Sequence, residues 1–261
     1  SLAKTAQPAP GETLRYYYHE NVYRPSAESH TFQEISQMGL EMLGAVGEAQ
    51  VQQAVRLAAQ SLAQLGAAWV LEVSHMGYLF GLFDALGVPE SARPGLLEKL
   101  REKNALELRR AAHTAGLDAA GADALTGLLE LSGSCEETLA KAERACRNDR
   151  MRAAAAELRA LAKTLEVSGG AVRLDLSLAG EMEYYNGLVF QGYLQGLPRP
   201  LLKGGRYDLL MQKFTPGAGA IGFAVYLDEL DRLSAPTPPV QRNSTDRVML
   251  NVALPKGRLG D

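Results

Sequence analysis

Glu183–Asp208 reads EYYNGLVFQGYLQGLPRPLLKGGRYD. Within these 26 residues come two strand-like runs, a turn broken by Pro198 and Pro200, and a Gly204-Gly205-Arg206-Tyr207-Asp208 corner. Tyr, Leu, Val and Phe from Tyr184 to Leu194 suit a half-buried strand. The paired glycines let the backbone turn sharply or approach a ligand closely.

Working outward, Ala171–Leu178 places Val172, Leu174, Leu176 and Leu178 in alternation with Arg173, Asp175 and Ser177, a period-two pattern. Downstream, Arg206–Phe214 suits a helix, Gly219–Val225 a buried strand and Tyr226–Leu233 a helix. Near the start, Leu14–Tyr23 (LRYYYHENVY) reads as a strand, Pro25–Ser29 as a hairpin loop and Thr31–Leu43 as a second strand. Val51, Val55, Ala58, Leu62 and Leu65 form a helical stripe over Glu48–Leu65, stopped by Gly66. Ala68–Val73 reads as a short strand, and Gly77–Leu86 as a helix ended by Gly87.

From Pro89 to Leu165 the composition shifts to Ala, Leu, Glu, Lys and Arg, the strong helix formers. Three to five short helices are expected, as an inserted helical subdomain. Strands bracketing a helical insertion, without regular βαβ alternation, indicate an α+β fold on a largely antiparallel sheet. The expected division is a core over 1–88 and 166–233, the insertion over 89–165, a Pro/Ser/Thr linker over 234–247 and a new strand unit over 248–261.

The chain has 46% hydrophobic and 22% charged residues, enough apolar material for a sizeable core. A net charge of −3 argues against a broad nucleic-acid footprint, which needs a basic face. Cys135 and Cys146 fall in a helical region; a continuous helix between them would hold them about 16 Å apart, too far for a bridge. His19, His30, His75 and His113 are scattered without ligand-like pairing, so no metal site is expected. No run of about 18 apolar residues suggests a membrane span. The N-terminus carries no apolar signal-peptide core and no initiator Met. A cytoplasmic protein is expected.

Three segments, in order over about residues 14–233, resemble the histidyl-tRNA synthetase-like class II fold: an antiparallel sheet flanked by helices. The first is Tyr23-Arg24 followed by Gln37-Met38-Gly39-Leu40-Glu41. Four residues apart on one strand, Gln37 and Glu41 share a sheet face. An amide oxygen and a carboxylate converging there can hold an ammonium group. In the synthetases the corresponding arginine grips the α-phosphate of ATP and the amino-acid carboxylate, a role the resemblance gives to Arg24. The second segment, Gly180 to Gly187, keeps a tyrosine pair at Tyr184 and Tyr185, one of whose hydroxyls can meet an imidazole nitrogen. The third, Gly204–Asp208 with Gly219–Leu230, brings Tyr207 and a glycine floor at Gly222.

The resemblance also shows departures. The synthetases carry an adenylation arginine where Gly180 stands, and a γ-phosphate-binding arginine where Glu229 stands. The loop Pro25-Ser26-Ala27-Glu28-Ser29-His30 holds no Lys or Arg. Histidine-binding features persist at Arg24, Gln37, Glu41, Tyr184, Tyr185 and Tyr207, while those for ATP and adenylation do not. This combination is similar to the regulatory-subunit family of ATP phosphoribosyltransferase, the synthetase paralogues of histidine biosynthesis.

That resemblance implies a non-catalytic subunit without cofactor. Its partner would be the short-form catalytic subunit, in a hetero-oligomer containing a homodimer, with L-histidine as feedback effector. Met249–Leu259 (MLNVALPKGRL) is similar to the start of that catalytic subunit. The start at Ser1 resembles a point inside the synthetase-like core, so an N-terminal truncation is expected. A divergent synthetase fragment binding histidine and ATP, or a non-functional gene fragment, stand as the other readings.

Overall fold

The structure, a computed structural model, describes residues 2–25, 32–165, 170–180 and 184–234. The 25–29 loop beyond Pro25, the 248–261 unit and nearly all of the 234–247 linker therefore lie outside the described residues.

The elements run α1 (Leu2–Thr5), β1 (Thr13–Pro25), β2 (Phe32–Gly44), α2 (Glu48–Ala63), β3 (Trp69–His75), α3 (Met76–Ala85), α4 (Arg93–Arg101), α5 (Ala105–Thr114) and α6 (Ala119–Thr126). They continue with β4 (Ser132–Ser134), α7 (Cys135–Ala145), α8 (Asp149–Ala162), β5 (Gly170–Asp175), β6 (Leu188–Leu194), β7 (Leu202–Arg206), α9 (Asp208–Gln212), β8 (Gly219–Tyr226) and α10 (Leu227–Ser234). One eight-stranded sheet has the order β1-β2-β8-β7-β6-β3-β5-β4. Among the described residues only β3 and β5 pair in parallel; every other neighbour is antiparallel. The expected α+β class and largely antiparallel sheet are what the chain forms.

Alternation in β2 sorts neighbours onto two cores. Met42 joins the large cluster under α2, with Val55, Ala58, Leu62, Leu71, Phe190 and Ile221. Leu43 joins a smaller cluster on the opposite face with Ala3, Tyr207, Met211 and Ala220. The stripe expected over Glu48–Leu65 is the face α2 buries, through Val51, Ala54, Val55, Ala58, Ala59 and Leu62. An ideal Cβ on Gly192 would stand 2.7 Å from Leu62, so this helix lies directly on the sheet.

Five helices fill 93–162, as expected from their composition. Their buried leucines (Leu96, Leu97, Leu100, Leu108, Leu125 and Leu158) join the same large cluster as the sheet. Asn148 ties α8 to α3: its Oδ1 caps α8 at Met151 N (2.9 Å) and its Nδ2 donates to Gly81 O (2.7 Å). His75 caps α3, Nδ1 accepting from Gly77 N at 3.0 Å. The opposite ring nitrogen, left to carry the proton, lies 3.0 Å from Glu157 on α8.

Four expectations are corrected. Residues 132–134, within the stretch read as helical, form β4, which pairs with β5. The strand read over Ala171–Leu178 ends at Asp175. There the Asp175 carboxylate accepts Ser177 N (3.0 Å) and Ser177 Oγ (2.6 Å), turning the chain. The run from Tyr184 becomes a strand only at Leu188. Gly204-Gly205-Arg206 is the end of a strand, β7, and the helix behind it starts at Asp208. Neighbours occupy the space those glycines leave. A Cβ on Gly204 would be 2.5 Å from Phe223 Cβ, and one on Gly205 2.6 Å from the Tyr185 ring.

Candidate amino-acid-binding site

The face of the sheet opposite α2 carries the predicted site residues. Register places Glu41 beside Gly222 and Gln37 beside Tyr226 on β8, while Tyr16 and Tyr18 of β1 face Glu41 and Gly39. The Tyr207 hydroxyl donates a short hydrogen bond to Glu41 Oε2. Tyr184 stacks on Tyr207 at 5.0 Å between ring centroids and meets Tyr185 edge-on at 4.6 Å. Glu41, Tyr184, Tyr185 and Tyr207 thus come together, although 166 residues separate the hydrogen-bonded pair.

Gln37 lies on the same strand face and is only 7% exposed. Its Nε2 reaches Tyr18 Oη at 3.5 Å, and its Oε1 is buried with no hydrogen-bond partner. Buried polar atoms are nearly always satisfied, so an orphan acceptor on this strand face invites a donor. Arg24 pairs through its backbone with Gln33, eight residues along β2 from Glu41. Its side chain lies outside the described atoms.

Glycines let the site's own side chains lie flat on the sheet. A Cβ on Gly222 would fall 1.8 Å from Glu41 Oε2, and one on Gly39 would be 2.6 Å from Tyr18 Oη. Burial pushes the Glu41 carboxyl up to about 7, against the Tyr207 hydrogen bond, which acts to lower it. Burial, with the Glu41 charge second, drives the Tyr207 hydroxyl far above the ordinary phenol range. Chemically this is a carboxylate set among tyrosine rings, a grouping suited to a cationic head and a flat ring.

Gly180 and Glu229 are the two positions at which the resemblance expects an arginine. The backbone carbonyls of Gly180 and Ala179 accept from Arg101 of α4, at 2.7 and 3.2 Å. A Cβ on Gly180 would stand 2.6 Å from the Tyr185 ring, so a larger residue there requires that ring to move. Glu229, in the first turn of α10, pairs with Arg232 at 3.1 Å. Tyr18 and Arg101 were not singled out from sequence; Tyr18 was legible only as one position in an aromatic strand, and nothing local marked Arg101.

A mixed, mainly antiparallel sheet with a carboxylate and tyrosine cluster on the face opposite α2 is of the class II aminoacyl-tRNA synthetase type. The family model described as histidyl-tRNA synthetase matches residues 3–230, and the chain belongs to that family. A relative from Desulfitobacterium hafniense named ATP phosphoribosyltransferase regulatory subunit is 34% identical over 217 residues, covering 82% of this chain and 56% of that protein. The chain therefore spans little more than half the length of that relative. A Bacillus halodurans structure, described as an ATP phosphoribosyltransferase regulatory subunit/histidyl-tRNA synthetase, superposes with a TM-score of 0.74 at 32% identity. It covers 89% of this chain and 60% of that one. An ATP phosphoribosyl transferase complex from Thermotoga maritima shares the fold, with a TM-score of 0.67 at 19% identity over 84% of this chain and 74% of that one. No described helix is long and apolar enough to cross a membrane.

Proposed function

We propose that this chain is the synthetase-like part of an ATP phosphoribosyltransferase regulatory subunit, and that its pocket binds L-histidine without activating it. The carrying observation is the Glu41–Tyr207 pair with the unpartnered Gln37 Oε1 on the same strand face. An ammonium group offers three donors, which the Glu41 carboxylate can accept, and Gln37 Oε1 is a second acceptor further along the same face. The tyrosine rings supply the wall for the imidazole, and a Tyr184 or Tyr185 hydroxyl its partner.

Absence of adenylation is supported by the loss of two arginines that the synthetases carry. Glu229 would repel a γ-phosphate rather than bind it, and at Gly180 the Tyr185 ring fills the space a side chain would need. On this reading the subunit assembles with the short-form catalytic subunit, activates it and relays feedback by histidine; what supports the reading is the name regulatory subunit that its relatives carry. Such coupling requires histidine to bind one global state better than another. A homodimer within that hetero-oligomer and a cytoplasmic setting belong to the same reading.

Calorimetry with L-histidine tests it, with pyrophosphate exchange into ATP as the second assay. Saturable binding without exchange is expected. Histidine-dependent exchange would establish the rival, a divergent synthetase, which the family match and the double name of the Bacillus halodurans protein keep in view.

A further inference from the structure

Tyr185 stands between two glycines. An ideal Cβ on Gly180 would fall 2.6 Å from its Cδ2, and one on Gly205 would fall 2.6 Å from its Cδ1. The ring takes the space that side chains at both positions would need. Its place therefore depends on where those two stretches of backbone lie. Gly205 is fixed by the sheet, paired with Val189 of β6 and Gly222 of β8. Gly180 lies beyond the end of β5, outside any strand.

Helices hold Gly180 instead. Arg101, the last residue of α4, donates from Nη2 to Gly180 O (2.7 Å) and from Nε to Ala179 O (3.2 Å). Gly180 N reaches Met76 Sδ, at the start of α3, at 3.3 Å. Two residues past Arg101, Lys103 turns the chain in a left-handed conformation (φ 52°), which a non-glycine residue keeps only where its surroundings enforce it. Its Nζ meets the Asp175 carboxylate at 2.5 Å. The end of α4 thus grips both ends of 175–180.

A guanidinium spanning two carbonyls makes charge-assisted hydrogen bonds, and its planar fork fixes the orientation of what it holds. From Tyr185 the contacts run on towards Glu41. Tyr184 meets Tyr185 edge-on at 4.6 Å and stacks on Tyr207 at 5.0 Å, and Tyr207 donates to Glu41. We propose that Arg101 is a positioning residue for the amino-acid site: by fixing the Gly180 backbone it sets where the Tyr185 ring stands, and with it the aromatic wall beside Glu41. The inference rests on the histidine-binding reading. It adds that the end of α4, which supplies no group to the ligand, governs affinity by supporting those that do.

Two variants test it. Arg101→Met keeps the aliphatic stem and removes the donors. Arg101→Lys keeps the charge and can reach one carbonyl, and it carries the test if Arg101→Met does not fold. Calorimetry with L-histidine reads affinity. NMR of ring-labelled tyrosine reads the Tyr185 ring, its signal assigned with Tyr185→Phe. Tyr78, whose hydroxyl donates to Ala142 O at 2.8 Å, is the reference ring. Arg101→Met should weaken histidine binding by about five- to tenfold, the scale of one lost hydrogen bond. It should shift the Tyr185 signal and leave that of Tyr78 in place, with Arg101→Lys recovering part of both. A merely structural role would lower the urea midpoint without moving the Tyr185 signal of the folded protein. A folded Arg101→Met chain that binds histidine as its parent does, or that loses affinity with the Tyr185 signal in place, would overturn the inference. No binding by the folded parent chain would overturn the histidine reading instead, and the Tyr185 signal would still decide whether Arg101 positions the ring.

Discussion

Gly222→Ala is the smallest change that strikes the pocket. The added methyl would lie 1.8 Å from Glu41 Oε2, 2.5 Å from Glu41 Cδ and 2.5 Å from Leu40 O. The carboxylate can swing aside, but Leu40 O belongs to the β2 backbone, paired with β8, and can yield only if the two strands part. Overpacking of this kind costs about 1–3 kcal/mol, and loss of the Tyr207 hydrogen bond adds about 1 kcal/mol. A total of about 2–4 kcal/mol corresponds to a Tm lowered by about 5–15 °C for a chain of this size. Gly95→Ala is the control. No atom lies within 4 Å of its Cβ position and it sits inside α4, so it should raise stability by about 0.5–1 kcal/mol. Urea denaturation and thermal scans read both. A Gly222→Ala protein as stable as its parent, with unchanged histidine affinity, would refute the close approach of Glu41 to β8.

Glu41→Gln should change the pH profile of stability. The folded carboxyl titrates near 7 and the unfolded one near 4.5. The stability contributed by its neutral form is therefore complete below pH 4.5 and lost as pH rises through 7. The variant should gain roughly 2–3 kcal/mol on the parent between pH 5 and pH 8, seen in urea midpoints; parallel profiles would count against it. Asn148→Ala removes the α8 cap and the bond to Gly81 O and should cost about 2 kcal/mol in chemical denaturation. Lys103→Met leaves the Asp175 carboxylate, 2% exposed, without its cation at 2.5 Å. Because the lysine side chain is itself 57% exposed, the expected loss is only about 1–2 kcal/mol, read the same way.

What the sequence revealed follows from what is local. The aromatic, β-prone run of 14–23, the apolar stripe of 48–65 and the Ala/Leu-rich stretch after Pro89 carry their signals locally, and each became the expected element. Gln37 and Glu41 on one face required only the two-residue period of a strand. β4 is Ser-Gly-Ser, without a hydrophobic signal, and exists through its pairing with β5 some 40 residues on. β7 hides because Gly204 and Gly205 resemble a turn until Phe223 and Tyr185 are seen to fill the space above them. Tyr207 could be singled out by resemblance, but its hydrogen bond to Glu41 spans 166 residues and has no local trace. The same holds for Arg101, which reaches the carbonyls of Ala179 and Gly180 from a different helix.

The central claim is that this synthetase-type pocket binds histidine without making an adenylate. The most direct measurement is calorimetric titration of the chain with L-histidine at pH 8, with and without ATP. The account predicts saturable binding that ATP leaves unchanged and no pyrophosphate exchange. Binding that requires or is markedly strengthened by ATP, with exchange, would contradict it, as would a folded protein that takes up no histidine.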